Sequence, residues 1–339
     1  MSQTRWLALD AARGLAVLAM VVFHVIWDLA HFGYAPANLP WSAPVRLFGH
    51  SIAFTFLFIA GVALVLAHRR QIRWPAFWRR LAIIVAAAAL VTAGTYVAFP
   101  SAYVFFGILH CIALASLIAV PFLLAPWPVA LAGGVFFLVG GEFLASPVFN
   151  ADWLQWIGLS TSEPLTQDWR PLFPWAGALL LGVAAGKLTL LVYGERAGVR
   201  GEGISPESKT QQDSADFRSR PNPQAPHPNP LPVSGERGTL SFLGRHSLPI
   251  YLAHQPALFA LFLGLAYLAP PAVDTTDFVA SCEARCFKEG GEGKLCHDAC
   301  ECTAREAVHS KALAGATDEA ERGRRLNEIA QKCVAKGDP

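Results

Sequence analysis

The stretch AARGLAVLAMVVFHVIWDLAH, residues 11–31, decides the fold. A helix crosses a bilayer with roughly 20 mainly apolar residues, so this segment is long enough to span. It is not a cleavable leader: the apolar run continues through His24 and Asp28, and no small-residue cleavage pattern follows. Six further stretches of similar character lie near 46–67, 81–99, 104–125, 127–147, 173–193 and 247–268. The composition agrees. At 339 residues, 53% hydrophobic and 15% charged, with a mean hydropathy of +0.38, the chain is too apolar for an ordinary soluble domain of its length. The expectation is an all-α polytopic membrane bundle of about seven spans.

Orientation follows from the basic residues. Arg69, Arg70, Arg73, Arg79 and Arg80 cluster between the second and third spans, whereas the loops near 32–45, 100–103 and 148–172 are nearly free of Lys and Arg, apart from Arg46 and Arg170. Basic loops stay in the cytoplasm, which puts the N-terminus inside and everything after the seventh span outside. The net charge of +2 gives no case for nucleic acid.

Four regions are expected. Residues 1–193 carry spans one to six, 194–240 form a Pro-rich disordered cytoplasmic loop, 241–270 complete the bundle, and 274–339 form a small helical extracytoplasmic module. The last holds six of the seven cysteines. Cysteines four apart share a helical face, so Cys282 with Cys286, and Cys296 with Cys300, line the facing sides of a hairpin that turns at Gly290, Gly291 and Gly293. Antiparallel packing then pairs Cys286 with Cys296 and Cys282 with Cys300. Cys302 lies about 200° around the helix from Cys300, leaving it for Cys333 on a third helix. A zinc site built from the two Cys pairs, Cys282 with Cys286 and Cys296 with Cys300, together with His297, is the competing reading, at a spacing unusual for zinc. Cys111 reads as a small core residue.

Ionisable residues inside spans are costly in lipid and tend to face a cavity or a partner, so the chemistry is sought among them. His24 and Asp28 are four apart and share a helix face, with His24 about 10 Å below the outer end of its span. His110 falls at a matching depth on the fourth span, and His50 and Glu142 lie near the same level. An imidazole takes up and returns a proton near neutral pH, and a carboxylate can orient it, which suits acyl transfer to an alcohol or amine. Each histidine also has a structural reading, as a side chain bonded to a neighbouring helix.

The run Arg5, Leu9, Asp10, Arg13, Gly14, Ala16, Met20, His24, Asp28, Leu29 resembles the first helix of the heparan-alpha-glucosaminide N-acetyltransferase catalytic-domain family in its short bacterial form, within the wider transmembrane acyltransferase superfamily. Further matches follow in order: Gly107 and His110; Asp168, Pro171, Leu172, Pro174, Trp175 and Gly177; then Gly244, Arg245, His246, Ser247, Leu248, Tyr251, His254, Gln255 and Pro256. The resemblance implies transfer of an acetyl group from acetyl-CoA to an amine or hydroxyl of a sugar or envelope glycan, in a bacterial inner membrane with the C-terminal segment periplasmic. His24 becomes the general base, Asp28 its orienting partner and His110 an assistant; an acyl-histidine intermediate is the other route. Arg13 and Arg245 are expected on the cytoplasmic side against the CoA phosphates, with His254, the third residue expected to bind the cofactor, further into the seventh span. Lys187 and the loop arginines read as orientation anchors. Trp153, Trp156, Trp169 and Trp175 either stack on a sugar or sit at the lipid interface.

No metal is expected, and the oligomeric state stays open. Two rival classes remain. A proton-coupled transporter would use the same His, Asp and Glu residues as a relay, although no inverted repeat is visible in the spans. A membrane scaffold would instead act through its cysteine-rich module.

Overall fold

The computed structural model describes residues 7–69, 71–199, 236–271, 275–310 and 319–336. Arg5, Arg70 and most of the Pro-rich segment, 200–235, lie outside the described residues. Within them the chain is helical, with no strand. In chain order the helices are α1 (Leu7–His31), α2 (Ala43–Ala67), α3 (Trp74–Ala98), α4 (Ile108–Leu124), α5 (Trp127–Leu144), α6 (Leu172–Val199), α7 (Glu236–Arg245), α8 (Ser247–Leu268), α9 (Thr276–Lys288), α10 (Gly293–His309) and α11 (Glu319–Lys336). Six of them, α1, α2, α3, α5, α6 and α8, are long and apolar enough to cross a membrane.

The fourth predicted span differs from the expectation of 104–125. Helix α4 has 17 residues and does not start until Ile108. Residues ahead of it run extended beside α3, where the Thr92 hydroxyl donates to the Val104 carbonyl at 2.7 Å and the Val104 N–H donates to the Thr95 hydroxyl at 3.0 Å. Irregular backbone at membrane depth survives only where protein groups satisfy it, and these two threonines do so. At its far end α4 is closed by Lys187 on α6, whose Nζ donates to the Leu123 carbonyl at 2.8 Å and to that of Ala125. The residue read as an orientation anchor is a helix cap.

The described residues fall into two compact units, 1–28 with 38–261 and 29–37 with 262–339. In the first, α6 is the core: Ala176, Ala178, Leu179, Leu180 and Val183 are completely buried. Lipid offers little hydrophobic drive between helices, so close backbone approach through small residues supplies the packing. A Cβ on Gly61 would lie 2.0 Å from the Leu179 carbonyl oxygen, and one on Gly182 would lie 2.0 Å from that of Phe58. Helices α2 and α6 therefore touch backbone to backbone. Helices α1 and α7 do the same through Gly14 against Leu240 and Gly244 against Asp10.

In the second unit, Phe32 stacks on Phe262 and the Tyr34 hydroxyl donates to the Ala269 carbonyl at 2.6 Å. Three disulfides join Cys282 to Cys300, Cys286 to Cys296 and Cys302 to Cys333. These are the pairs that helix spacing predicts, and they engage the four cysteines, Cys282, Cys286, Cys296 and Cys300, that the zinc reading would require as ligands.

Candidate functional site

Helices α1 and α8 bring four polar side chains together. Asp28 is completely buried, and its Oδ1 accepts a hydrogen bond from Gln255 Nε2 at 2.9 Å. The rings of His24 and His254 lie 4.7 Å apart, centroid to centroid, at 65°. His254 Nδ1 is 2.7 Å from the Tyr251 carbonyl oxygen. A carbonyl only accepts, so Nδ1 carries the proton, and in the neutral ring the lone pair is on Nε2. That Nε2, the Nδ1 of His24 and the Oε1 of Gln255 are buried without a hydrogen-bond partner among the described residues. Buried polar atoms nearly always have partners, so three bare ones on two neighbouring helices single this place out as a candidate site.

The arrangement corrects one expectation. The Asp28 carboxylate turns to Gln255, while His24 Nδ1 makes no hydrogen bond, so no direct bond from Asp28 orients the imidazole. His254, expected further into the seventh span among the cofactor-binding residues, lies against His24.

His110 is placed differently. The Gly107 N–H donates to its Nδ1 at 3.2 Å, and its Nε2 lies 3.3 Å from the Thr92 hydroxyl, which itself donates to Val104. Both ring nitrogens are thus engaged: Nδ1 accepts, and Nε2–H donates to the hydroxyl oxygen. With this bonding the ring caps the start of α4 and has no lone pair to spare. Asp168 joins it there, its Oδ2 accepting the Ile108 N–H at 2.9 Å. A carboxylate at a helix N-terminus satisfies an orphan donor and complements the dipole. A Cβ on Gly107 would lie 2.5 Å from that oxygen.

Arg170 pairs with Asp168 at 3.6 Å, donates to the Trp169 carbonyl at 2.7 Å and lies over the Trp175 ring at 5.1 Å. His50 meets the same tryptophan edge-on. Arg170 also acts electrostatically on His24, His50 and Tyr251. Trp153 is exposed, Trp156 Nε1 donates to the Trp153 carbonyl and Trp169 Nε1 donates to the Gln155 carbonyl. Glu142 is exposed on α5.

A cavity of about 480 Å³ opens beside this site. Arg13, Arg79 and Arg80 line it, apolar side chains of α2, α3 and α4 form its walls, and Tyr251 of α8 also borders it. His254 follows Tyr251 by one turn, and the two rings are 5.8 Å apart. Arg13 is held by Asp10 at 3.3 Å, whereas Arg79 and Arg80 have no carboxylate partner among the described residues. Arg245 is absent from the lining: it ends α7, exposed, with its Nε donating to the Ser241 carbonyl. Sequence reasoning therefore missed the two arginines that share the cavity with Arg13, because a run of basic residues in a loop reads first as an orientation signal. Among the described residues no group of three or more His, Cys, Asp or Glu is arranged to hold a metal ion.

Bundle, buried imidazole pair and arginine-lined cavity together define a multi-pass membrane protein with an internal polar site. Residues 5–205, well over half of the chain, match the family described as Heparan-alpha-glucosaminide N-acetyltransferase, catalytic, and the chain belongs to that family of membrane acetyltransferases. No curated protein and no solved structure matches it. The match takes in His24, Asp28, His110 and the cavity arginines but stops short of α8, so His254 and Gln255 lie beyond it.

Proposed function

We propose that the protein moves an acetyl group from acetyl-CoA to an amine or hydroxyl of a sugar, most simply in a bacterial envelope glycan. One observation carries this reading: the cavity that holds Arg13, Arg79 and Arg80 also reaches Tyr251, one turn from the imidazole pair. The guanidinium groups suit the CoA phosphates. The apolar walls suit the pantetheine arm, and a volume of about 480 Å³ is in the range of small-molecule sites. His24 is the general base. It takes the proton of the acceptor N–H or O–H as that atom bonds to the acetyl carbonyl carbon. The carbon–sulfur bond then breaks, and the CoA thiolate recovers the proton. His110 and Asp168 act by fixing the start of α4, and Asp28 by tying α1 to α8 through Gln255.

We place the protein in the bacterial inner membrane, with the arginine-rich loop in the cytoplasm and residues 274–339 in the periplasm. The basic residues of that loop support the first assignment and the three disulfides support the second, since disulfides persist in oxidising compartments. Residues 1–193 and 241–270 then form the bundle and 194–240 a cytoplasmic loop. The arginine end of the cavity faces the compartment that supplies acyl-CoA.

The test incubates purified protein in lipid with radiolabelled acetyl-CoA and a bacterial envelope extract. Label on a glycan with wild type, and a loss of roughly 10²-fold or more with His24→Ala, is the expected result. Equal labelling by both proteins removes His24 from the mechanism. Proton-coupled flux without acetyl-CoA consumption would replace the reading with a transporter.

A further inference from the structure

We infer that His254 is the positioning residue of the base: its Nε2 accepts the Nδ1–H of His24 and so leaves the lone pair of His24 on Nε2, where it meets the acceptor. The inference rests on the acetyl-transfer reading for its functional consequence, but its geometry stands apart from that reading.

The argument runs along one chain of hydrogen bonds. The Tyr251 carbonyl accepts from His254 Nδ1 at 2.7 Å, so His254 is held in a single neutral tautomer and its Nε2 can only accept. This Nε2 is buried and has no partner among the described residues, and neither has His24 Nδ1. The two rings are 4.7 Å apart, close enough for a modest ring rotation to bring the bare nitrogens together. An acceptor of fixed tautomer beside a bare imidazole nitrogen leaves one low-energy arrangement, with the His24 proton on Nδ1. The lone pair then falls on Nε2, and His24 becomes a base of defined direction. Asp28, the carboxylate expected in this role, is committed to Gln255. A neutral imidazole does the task without placing another charge at membrane depth, where an ion is costly. When His24 takes the acceptor's proton on Nε2, its Nδ1–H stays bonded to His254, so the imidazolium is stabilised until it returns the proton to the departing thiolate.

The direct test is ¹⁵N NMR of histidine-labelled full-length protein in lipid, which distinguishes protonated from bare ring nitrogens. We expect protonated Nδ1 and bare Nε2 on both His24 and His254, with His24 becoming a tautomeric mixture in His254→Ala. His24 carrying its proton on Nε2 in the wild type overturns the inference, whether or not acetyl transfer is found. Kinetics supply the second arm. His254→Ala should lower kcat roughly 10²-fold while KM for acetyl-CoA stays within about two-fold, and His254→Gln, whose amide oxygen can accept the same proton, should recover at least about ten-fold of the loss. A Gln variant no better than Ala, or an Ala variant with unchanged kcat, overturns it. A wild type that labels no acceptor defeats the acetyl-transfer reading alone, and the NMR result still decides the histidine pair.

Discussion

A carboxylate enclosed at membrane depth survives by its hydrogen bonds, and for Asp28 the bond that spans two helices comes from Gln255. Removing either partner breaks this bond, at a cost of about 1–3 kcal/mol for a buried hydrogen bond left unmade. Asp28→Ala and Gln255→Ala should each lower the thermal stability of the protein in lipid, and the double variant should lose less than the sum. Additive losses would mean that the pair does not hold α1 to α8. For the cavity arginines the effect belongs to binding: Arg79→Ala and Arg80→Ala should each raise KM for acetyl-CoA several-fold with little change in kcat, since phosphate contacts made equally in ground and transition states act on KM. A change in kcat alone would move these residues away from donor binding. The sequence exposed His24 and Asp28 because ionisable residues stand out in an apolar run. It could not expose the pairing of His24 with His254, which are 230 positions apart and meet only because α8 packs beside α1.

At the scale of helices, backbone contacts at glycine set how closely the bundle closes. Gly61→Val would drive a branched side chain into the Leu179 carbonyl, and overpacking of this kind costs about 1–3 kcal/mol or more. Gly94 on α3 is the control. A Cβ there meets nothing within 4 Å, and alanine is favoured over glycine in a helix interior by about 0.5–1 kcal/mol. Gly61→Val should therefore lower the unfolding temperature while Gly94→Ala leaves it unchanged or raises it; equal behaviour would refute the close-packing account. Hydropathy located seven apolar stretches, yet it placed the start of α4 four residues early. Apolar content could not reveal that Thr92, Thr95 and Asp168 satisfy the backbone of the approach to Ile108 and so remove the need for helix there.

For the molecule as a whole, the disulfide-linked helices carry their own stability and their own pH response. Cys302 and Cys333 close a separation of 31 residues, and a cross-link over a loop of that order contributes about 3–4 kcal/mol in the chain-entropy account. Cys302→Ser with Cys333→Ser should expose α11 to limited proteolysis ahead of α9 and α10. Simultaneous cleavage of all three helices would show that α11 is not held by that bond. In the same unit, His297 bonds to Glu283 and lies near Glu301. The hydrogen bond to Glu283, followed by the charge of Glu301, raises its pKa above the ordinary histidine value of about 6.5. A raised folded-state pKa means that the contribution is complete below the unfolded value and is lost as pH rises through the folded one. A histidine NMR titration of the full chain should give His297 a midpoint above about 6.5 that falls in Glu283→Gln; a midpoint at or below it contradicts the contact.

The solvent, the helical class and the disulfide framework are legible from the residues alone. Each is written in local patterns: apolar runs of membrane length, arginines gathered on one loop, and cysteines four apart on facing helices. Which polar residues meet emerges from the packing of the helices. Hydropathy and periodicity report the face and depth of a residue on its own helix, whereas the neighbour across an interface depends on where backbones can approach, and Gly61, Gly182, Gly14 and Gly244 govern that approach. In the packed bundle His254 comes to the side of His24, His110 caps the start of α4, and Arg79 and Arg80, rather than Arg245, share the cavity with Arg13.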